Sequence, residues 1–100
     1  MEDFLQSVAR TLRETLETFR TSHGTPAERL YGAWISHAGN LQAEDFPDDL
    51  APRWVALEGL LRNHGTWKAS ADAMSAEQMG LLIAEVERLA NEMDGRARRG

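Results

Sequence analysis

Cysteine is absent from all 100 residues of the sequence. This absence excludes a disulfide scaffold, a thiol nucleophile and a metal site built on thiolates, and it fits a reducing compartment. Long apolar runs are also missing, since none approaches the ~20 residues that a membrane-spanning helix needs. Residues 1–6 are acidic and lack the apolar segment of a secretory signal. We therefore expect a cytoplasmic protein that has no contact with a membrane.

Motifs that would indicate catalysis are missing as well. The sequence contains no Gly-x-Ser-x-Gly, Gly-x-Gly-x-x-Gly or Walker pattern. Its three histidines, His23, His37 and His64, lie far apart, and none has a second ligand at the spacing that metal-binding helices use. We therefore predict that the protein is not an enzyme and binds no cofactor and no metal.

Positive charge is in short supply, because 11 basic residues face 16 acidic ones and the formal net charge is −5. Nonspecific binding of nucleic acid needs cationic side chains that neutralise phosphates. We therefore expect no direct contact with nucleic acid. The acidic balance favours a basic partner weakly, because it also serves solubility.

Apolar residues recur at helical spacing in four segments, and no segment alternates as a strand would. Thr25 with Glu28, and Ser75 with Gln78, have the spacing of capping boxes that begin helices. Gly32 is a position where a neighbouring helix can approach. The sequence predicts an all-α fold, a compact four-helix antiparallel bundle with helices at about residues 2–21, 26–40, 50–64 and 76–94.

The predicted domain organisation is simple. One hundred residues correspond to one domain, so residues 1–95 are predicted to form a single helical domain. Gly95 is predicted to end the last helix and to leave residues 96–100 as a short basic tail. Residues 66–74 are predicted to form a loop or short turn.

The acidic connector, residues 41–54, is the most unusual segment of the chain. It holds two of the three prolines and four carboxylates, Glu44, Asp45, Asp48 and Asp49. One interpretation is capping, with Asp48 or Asp49 at the start of the third helix and Glu44 or Asp45 at a short turn before it. The spacing does not fit a calcium-binding EF-hand loop. Four carboxylates exceed what capping needs, so an acidic contact surface remains a second interpretation.

Three apolar residues are candidates for contact with a partner. Val55 and Leu81 lie roughly opposite the apolar faces of their helices. Trp67, in a polar linker, is expected to fold back over the edge of the core, and the alternative is an exposed anchor for a partner. If Val55 and Leu81 share one patch with Trp67 or Ile35, that patch is a candidate partner or dimer face.

Three features of the sequence together resemble a known family. They are Arg29-Leu30, the run Leu-x-x-Glu-Asp-Phe-Pro-Asp-Asp-Leu that begins at Leu41, and the pattern Trp-x-x-Leu-x-x-Leu-Leu that begins at Trp54. This family consists of short bacterial all-helical proteins of unassigned function. The resemblance covers about residues 28–62 and includes no catalytic motif. It implies an all-α fold and a bacterial origin. Pro52 departs from the uninterrupted helix that the resemblance implies at this point.

These observations lead to two main hypotheses about function, and an enzyme or metal protein built on His37 and scattered carboxylates is a third class. The first is a small non-enzymatic protein–protein interaction module. Its partner is either another protein, which can be a basic one, or a second copy of the chain in a homodimer. The alternative is a small acidic inhibitor of the immunity, antitoxin or anti-restriction/anti-CRISPR type, which occupies a basic nucleic-acid-binding surface of its target. The candidate binding residues are Glu44, Asp45, Asp48, Asp49, Val55, Trp67 and Leu81.

Overall fold

Helices account for every regular element between residues 4 and 99, which are the residues that this computed structural model describes. The prediction of an all-α fold is therefore confirmed. The five α-helices are α1 (Phe4–Thr21), α2 (Pro26–Ser36), α3 (Ala51–Leu60), α4 (Trp67–Ala73) and α5 (Ala76–Arg99), and two 3-10 turns, Ala38–Asn40 and Ala43–Asp45, lie between α2 and α3. None of these helices combines the length and the apolar composition needed to cross a membrane.

Both predicted capping boxes are confirmed. Thr25 Oγ1 accepts a hydrogen bond from the Glu28 backbone N–H at 3.2 Å, and Glu28 Oε1 accepts one from the Thr25 N–H at 3.3 Å. Ser75 and Gln78 exchange the same two bonds at 3.1 and 2.9 Å. These side chains satisfy backbone donors that have no partner within the helix, which is why the starts of α2 and α5 could be located from the sequence.

The predicted count of four helices is not confirmed, because residues 66–74 hold α4 where the sequence predicts a loop or short turn. The side chain of Thr66 accepts a hydrogen bond from the Ala69 N–H at 3.1 Å and so begins the helix. With seven residues, α4 is too short to show a clear helical periodicity.

The last helix is longer than predicted. The sequence places its end at about Asp94, with Gly95 as the stop, yet α5 continues to Arg99. Arg96 explains the difference, because it binds Glu92 one turn earlier and Asp49 in the acidic connector. Residues 96–99 are therefore helical and not a frayed tail, whereas the predicted end of that tail at Gly100 lies outside the described residues.

Two other predicted boundaries shift. The second helix ends at Ser36, and the predicted residues 38–40 form a 3-10 turn instead. The third helix ends at Leu60 and not at residue 64, and the chain turns at Gly65, whose φ of 90° favours glycine. The predicted start of the first helix at residue 2 lies outside the described residues.

The long helices α1 and α5 run in opposite directions and pack against each other. Arg13 Nε donates to Asp94 Oδ2 at 2.8 Å, and Arg20 Nη2 donates to Glu87 Oε2 at 3.3 Å, so positions that rise along α1 fall along α5. The helix α1 also packs on α2, and α2 packs on α4. The radius of gyration, 13.2 Å, is close to the ~13 Å of a compact 100-residue domain.

The core is one cluster to which all five helices contribute. At its centre the rings of Trp34 and Trp54 stack with centroids 5.3 Å apart, and Phe46 stacks on Trp54 at 4.9 Å. These rings come from α2, α3 and the acidic connector. The stack therefore fixes α3 and the connector against the rest of the fold.

Candidate functional site

A groove of about 500 Å³ lies between α3 and α5. It exists because α3 packs closely on the second 3-10 turn, whereas α5 packs closely on α1. Leu57 and Leu82 are buried residues of the groove, while Leu60 and Leu81 are 40% and 63% exposed. We call this site the α3–α5 groove, and its apolar lining consists of Pro52, Ala56, Leu57, Leu60, Leu81 and Leu82.

Three charged residues form the polar edge of the α3–α5 groove. Arg53 Nη2 donates to Glu85 Oε1 at 2.6 Å, and Arg88 Nε donates to the same oxygen at 3.3 Å. The hydrogen bond from Arg53 lowers the pKa of Glu85, and Glu85 in turn raises the pKa of Arg53. Two arginines share one carboxylate, so this edge carries a net positive charge on an acidic protein.

The face of α5 that points away from the core carries a short stripe next to the groove. Glu77, Leu81, Ala84 and Arg88 are four, three and four residues apart, which keeps them on one side of a helix. Glu77, Leu81 and Arg88 are exposed and Ala84 is half-buried. We call these four residues the outer stripe of α5. Gly80 lies beside it, and a Cβ built there meets no atom within 4 Å.

Val55 and Leu81 do not share a patch, so the hypothesis of one joint apolar face is wrong. Val55 is 54% exposed and lines a second groove on the opposite side of α3, together with Leu41, Gln42 and Glu58. No residue lines both grooves. Ile35, although 45% exposed, lines neither of them.

Trp67 folds back over the core, as the first interpretation of this residue predicts. Its side chain is half-buried and packs against the hydrophobic cluster. A Cβ built on Gly39 would lie 2.6 Å from Trp67 Cη2, which shows how closely the indole covers the first 3-10 turn. Trp67 therefore stabilises the fold, and only part of its surface remains exposed.

The acidic connector uses two of its four carboxylates inside the fold. Asp45 Oδ2 accepts a hydrogen bond from the Gln42 N–H at 2.7 Å and caps the second 3-10 turn, as predicted. Asp49 accepts a bond from Arg96 Nη1 at 2.8 Å, and this bond lowers the pKa of Asp49. The predicted cap of α3 by Asp48 or Asp49 is wrong, because the residue at the cap position is Leu50.

The other two carboxylates of the connector, Glu44 and Asp48, are exposed. Neither forms an ion pair with any residue between 4 and 99. Two of the four carboxylates are therefore without a cap or an ion pair among residues 4–99, and the role of all four as contact residues stays a prediction.

No protein family, curated protein or solved structure matches this chain. The resemblance of residues 28–62 to short bacterial helical proteins stays a prediction. Among residues 4–99, no three His, Asp or Glu side chains come together in a way that could hold a metal ion. The strongest structural basis for a function is consequently the apolar α3–α5 groove with its charged edge.

Sequence reasoning identified Leu81 but missed the rest of the groove. Leu60 falls at the edge of the apolar stripe of α3, where a leucine can be either buried or exposed. Ala56 and Arg88 carry no motif at all. The signal that was missing is the position of α3 relative to α5, which depends on the stack of Trp54 with Trp34 and so on residues far apart in the chain.

Proposed function

We propose that this protein is a non-enzymatic protein–protein interaction module and that the α3–α5 groove is its contact surface. The observation that supports the proposal is the pair Leu60 and Leu81, which stay exposed beside an apolar floor. A single exposed leucine needs no explanation, whereas two that line one apolar groove offer a partner a continuous apolar surface. The charged edge resembles the polar rim of known interfaces.

The second groove, beside Val55, supports the proposal less well. Its lining includes Gln42, Glu58 and Arg62, and Arg62 Nη2 donates to Glu58 Oε2 at 2.9 Å. A partner that entered it would have to remove water from these polar groups and would gain less apolar contact in return than in the α3–α5 groove. Binding of a partner in the α3–α5 groove requires less desolvation of polar atoms, so this groove is the better candidate contact surface.

Site-specific photo-crosslinking tests the proposal. A benzoylphenylalanine replaces Leu81 in one variant and Glu14, an exposed residue of α1, in a control variant. We expect adducts of one defined mass from position 81 and none from position 14. The protein in the adduct is then identified and purified, and the substitution Leu60→Asp should weaken its binding by about tenfold or more, because it places a charge in the apolar contact.

Two results would contradict the proposal. One is an adduct pattern that is the same at positions 14 and 81. The other is a purified complex whose affinity does not respond to Leu60→Asp. Circular dichroism of each variant separates loss of binding from loss of the fold, since both leucines are partly exposed and their replacement leaves the buried core in place.

The acidic-inhibitor hypothesis now depends on Glu44 and Asp48. Charge reversal of these two residues tests it without disturbing the fold, because both are exposed and neither is paired with a residue between 4 and 99. Reversal of Asp45 or Asp49 would break a cap or an ion pair and would confuse a change of structure with a change of contact.

A further inference from the structure

We infer that the partner of the α3–α5 groove is a second copy of this chain, held by an antiparallel contact between the two α5 helices. The inference rests on the proposed function and names the partner of the same site. It is carried by the outer stripe of α5, Glu77, Leu81, Ala84 and Arg88, which is complementary to itself.

The complementarity follows from the order of the residues. We place a two-fold axis beside α5 at the midpoint between Leu82 and Ile83. Each residue of one copy then lies opposite the residue of the second copy that is equally far from this midpoint in the other direction along the helix. Glu77 then faces Arg88 of the second copy, and Leu81 faces Ala84 of the second copy. Because the axis repeats each pair, the contact contains two opposite-charge pairs at its ends and two large-to-small apolar pairs at its centre.

The charged ends of the stripe are available for such pairs. Glu77 is exposed and forms no ion pair with residues 4–99. Arg88 is 61% exposed, and its bond to Glu85, at 3.3 Å, is shared with the shorter bond from Arg53. Arg88 can therefore turn to a carboxylate of the second copy and leave Glu85 with a partner.

The centre of the stripe allows two helices to come close. Ala84 has a small side chain, and a Cβ built on neighbouring Gly80 meets no atom within 4 Å. Small residues on a helix surface let a second backbone approach, and Leu81 then fills the space above Ala84 of the other copy. Leu81, at 63%, is the most exposed of the large apolar residues of the described chain, so its burial contributes most to the contact.

The groove extends this contact. A two-fold axis perpendicular to α5 leaves both α3 helices on the same side of the helix pair. Leu60 and Leu81 line the same groove, so the α3 wall of each copy is the next surface that this contact would reach. Self-complementary charge order is a property that an unrelated partner would not require, which is why a second copy is the occupant that these residues favour.

Sedimentation equilibrium of the whole chain, at concentrations up to about 1 mM, tests the inference through charge reversal. We expect a dimer. The single substitutions Glu77→Arg and Arg88→Glu should each weaken it by about tenfold, because each turns two attractions into two repulsions. The double variant restores both pairs with reversed sign and should recover most of the affinity, whereas Glu14→Arg, a charge reversal on α1, should change nothing. Thermal unfolding of each variant checks the fold.

Cysteine crosslinking tests the register. The chain has no cysteine of its own, so introduced thiols report on a single contact. In the variant that carries both Glu77→Cys and Arg88→Cys, oxidation should give a covalent dimer, since each thiol faces the other type in the second copy. Within one copy the two positions are about 16 Å apart along the helix, too far for a disulfide. In each single-cysteine variant the two thiols of a dimer are also about 16 Å apart along the helices, so no covalent dimer should form.

The results separate this inference from the proposed function. A monomer at every concentration overturns the inference. So does a double-cysteine variant that crosslinks no better than the single ones at concentrations where sedimentation shows that it still dimerises. If position 81 then still gives a defined adduct with another protein, the proposed function stands with a different partner. If position 81 gives no adduct either, both are wrong.

Discussion

At the scale of single residues, two glycines in neighbouring segments have opposite surroundings. A Cβ built on Gly39 would lie 2.6 Å from Trp67 Cη2 and 2.8 Å from the Trp34 carbonyl oxygen. A Cβ on Gly32 meets nothing within 4 Å. The sequence predicts a close approach at Gly32, and this prediction is wrong. The close approach is at Gly39, because the indole that causes it comes from α4, a helix that the sequence does not predict.

The two glycines give a matched pair of substitutions. Gly39→Ala should lower the free energy of unfolding by about 1–3 kcal/mol, because a backbone oxygen and a packed indole must move. Gly32→Ala should raise it by up to ~1 kcal/mol, because alanine is the better helix former and open space surrounds the site. Urea denaturation measures both values. Equal effects of the two substitutions would contradict the contact between Trp67 and Gly39.

For Trp54, burial can be predicted from the neighbouring sequence, whereas the ring contacts cannot. Its burial is predicted from its position on the apolar stripe of α3 with Leu57 and Leu61, and the structure confirms that all three are buried. The stack of Trp54 with Trp34 and Phe46 is not predicted, because it joins three segments that are distant in the chain. That stack sets the direction of α3 and with it the width of the α3–α5 groove.

At the scale of elements, the last turn of α5 is held by one ion pair from another segment. Arg96 binds Glu92 within the helix and Asp49 in the acidic connector. An arginine near a helix end is common, and the sequence gives no sign of which carboxylate it meets. The local part of the signal, Gly95 followed by a basic run, predicts a stop. The ion pair with Asp49 outweighs that signal.

Asp48 and Asp49, which are adjacent in the sequence, provide a test of the ion pair between Arg96 and Asp49. Asp49→Asn should speed the exchange of backbone amide hydrogens at residues 95–99, because the helix end loses its link to the connector. Asp48→Asn is the control, since Asp48 is exposed and pairs with no residue between 4 and 99. Hydrogen exchange followed by mass spectrometry resolves the C-terminal segment. Equal exchange in the two variants would show that the last turn of α5 does not need the ion pair.

The pH dependence of the same anchor follows from the pKa of Asp49. The hydrogen bond from Arg96 lowers this pKa in the folded protein, so the ion pair contributes to stability above the pKa of the unfolded chain. The contribution is lost as the pH falls through the lowered pKa, when the carboxylate becomes protonated. In an NMR titration, Arg96→Gln should move the midpoint of Asp49 upward. An unchanged midpoint would mean that Arg96 does not bind Asp49 in solution.

At the scale of the whole molecule, α3 presents two opposing features. Its close backbone packing is with the second 3-10 turn, while a groove separates it from α5, and this arrangement would favour its separate unfolding. Against this, Trp54 is fully buried, and Leu57 and Leu61 belong to the same cluster as the core residues of α1 and α5. Burial of such side chains contributes about 1.5–3 kcal/mol each. We expect the burial of these three side chains to stabilise α3 by more than the missing close packing against α5 destabilises it.

We therefore expect α3 to unfold together with the other helices. Calorimetry should show one transition with an enthalpy of about 60–80 kcal/mol, and the calorimetric and van't Hoff enthalpies should agree. Amide hydrogens at the centre of α3 should exchange with the same free energy as those at the centres of α1 and α5, because all three report on the same global opening. A lower value confined to α3 would contradict this expectation. It would mean that the wall of the groove opens by itself, and the groove would then be shaped by its partner instead of being ready to receive it.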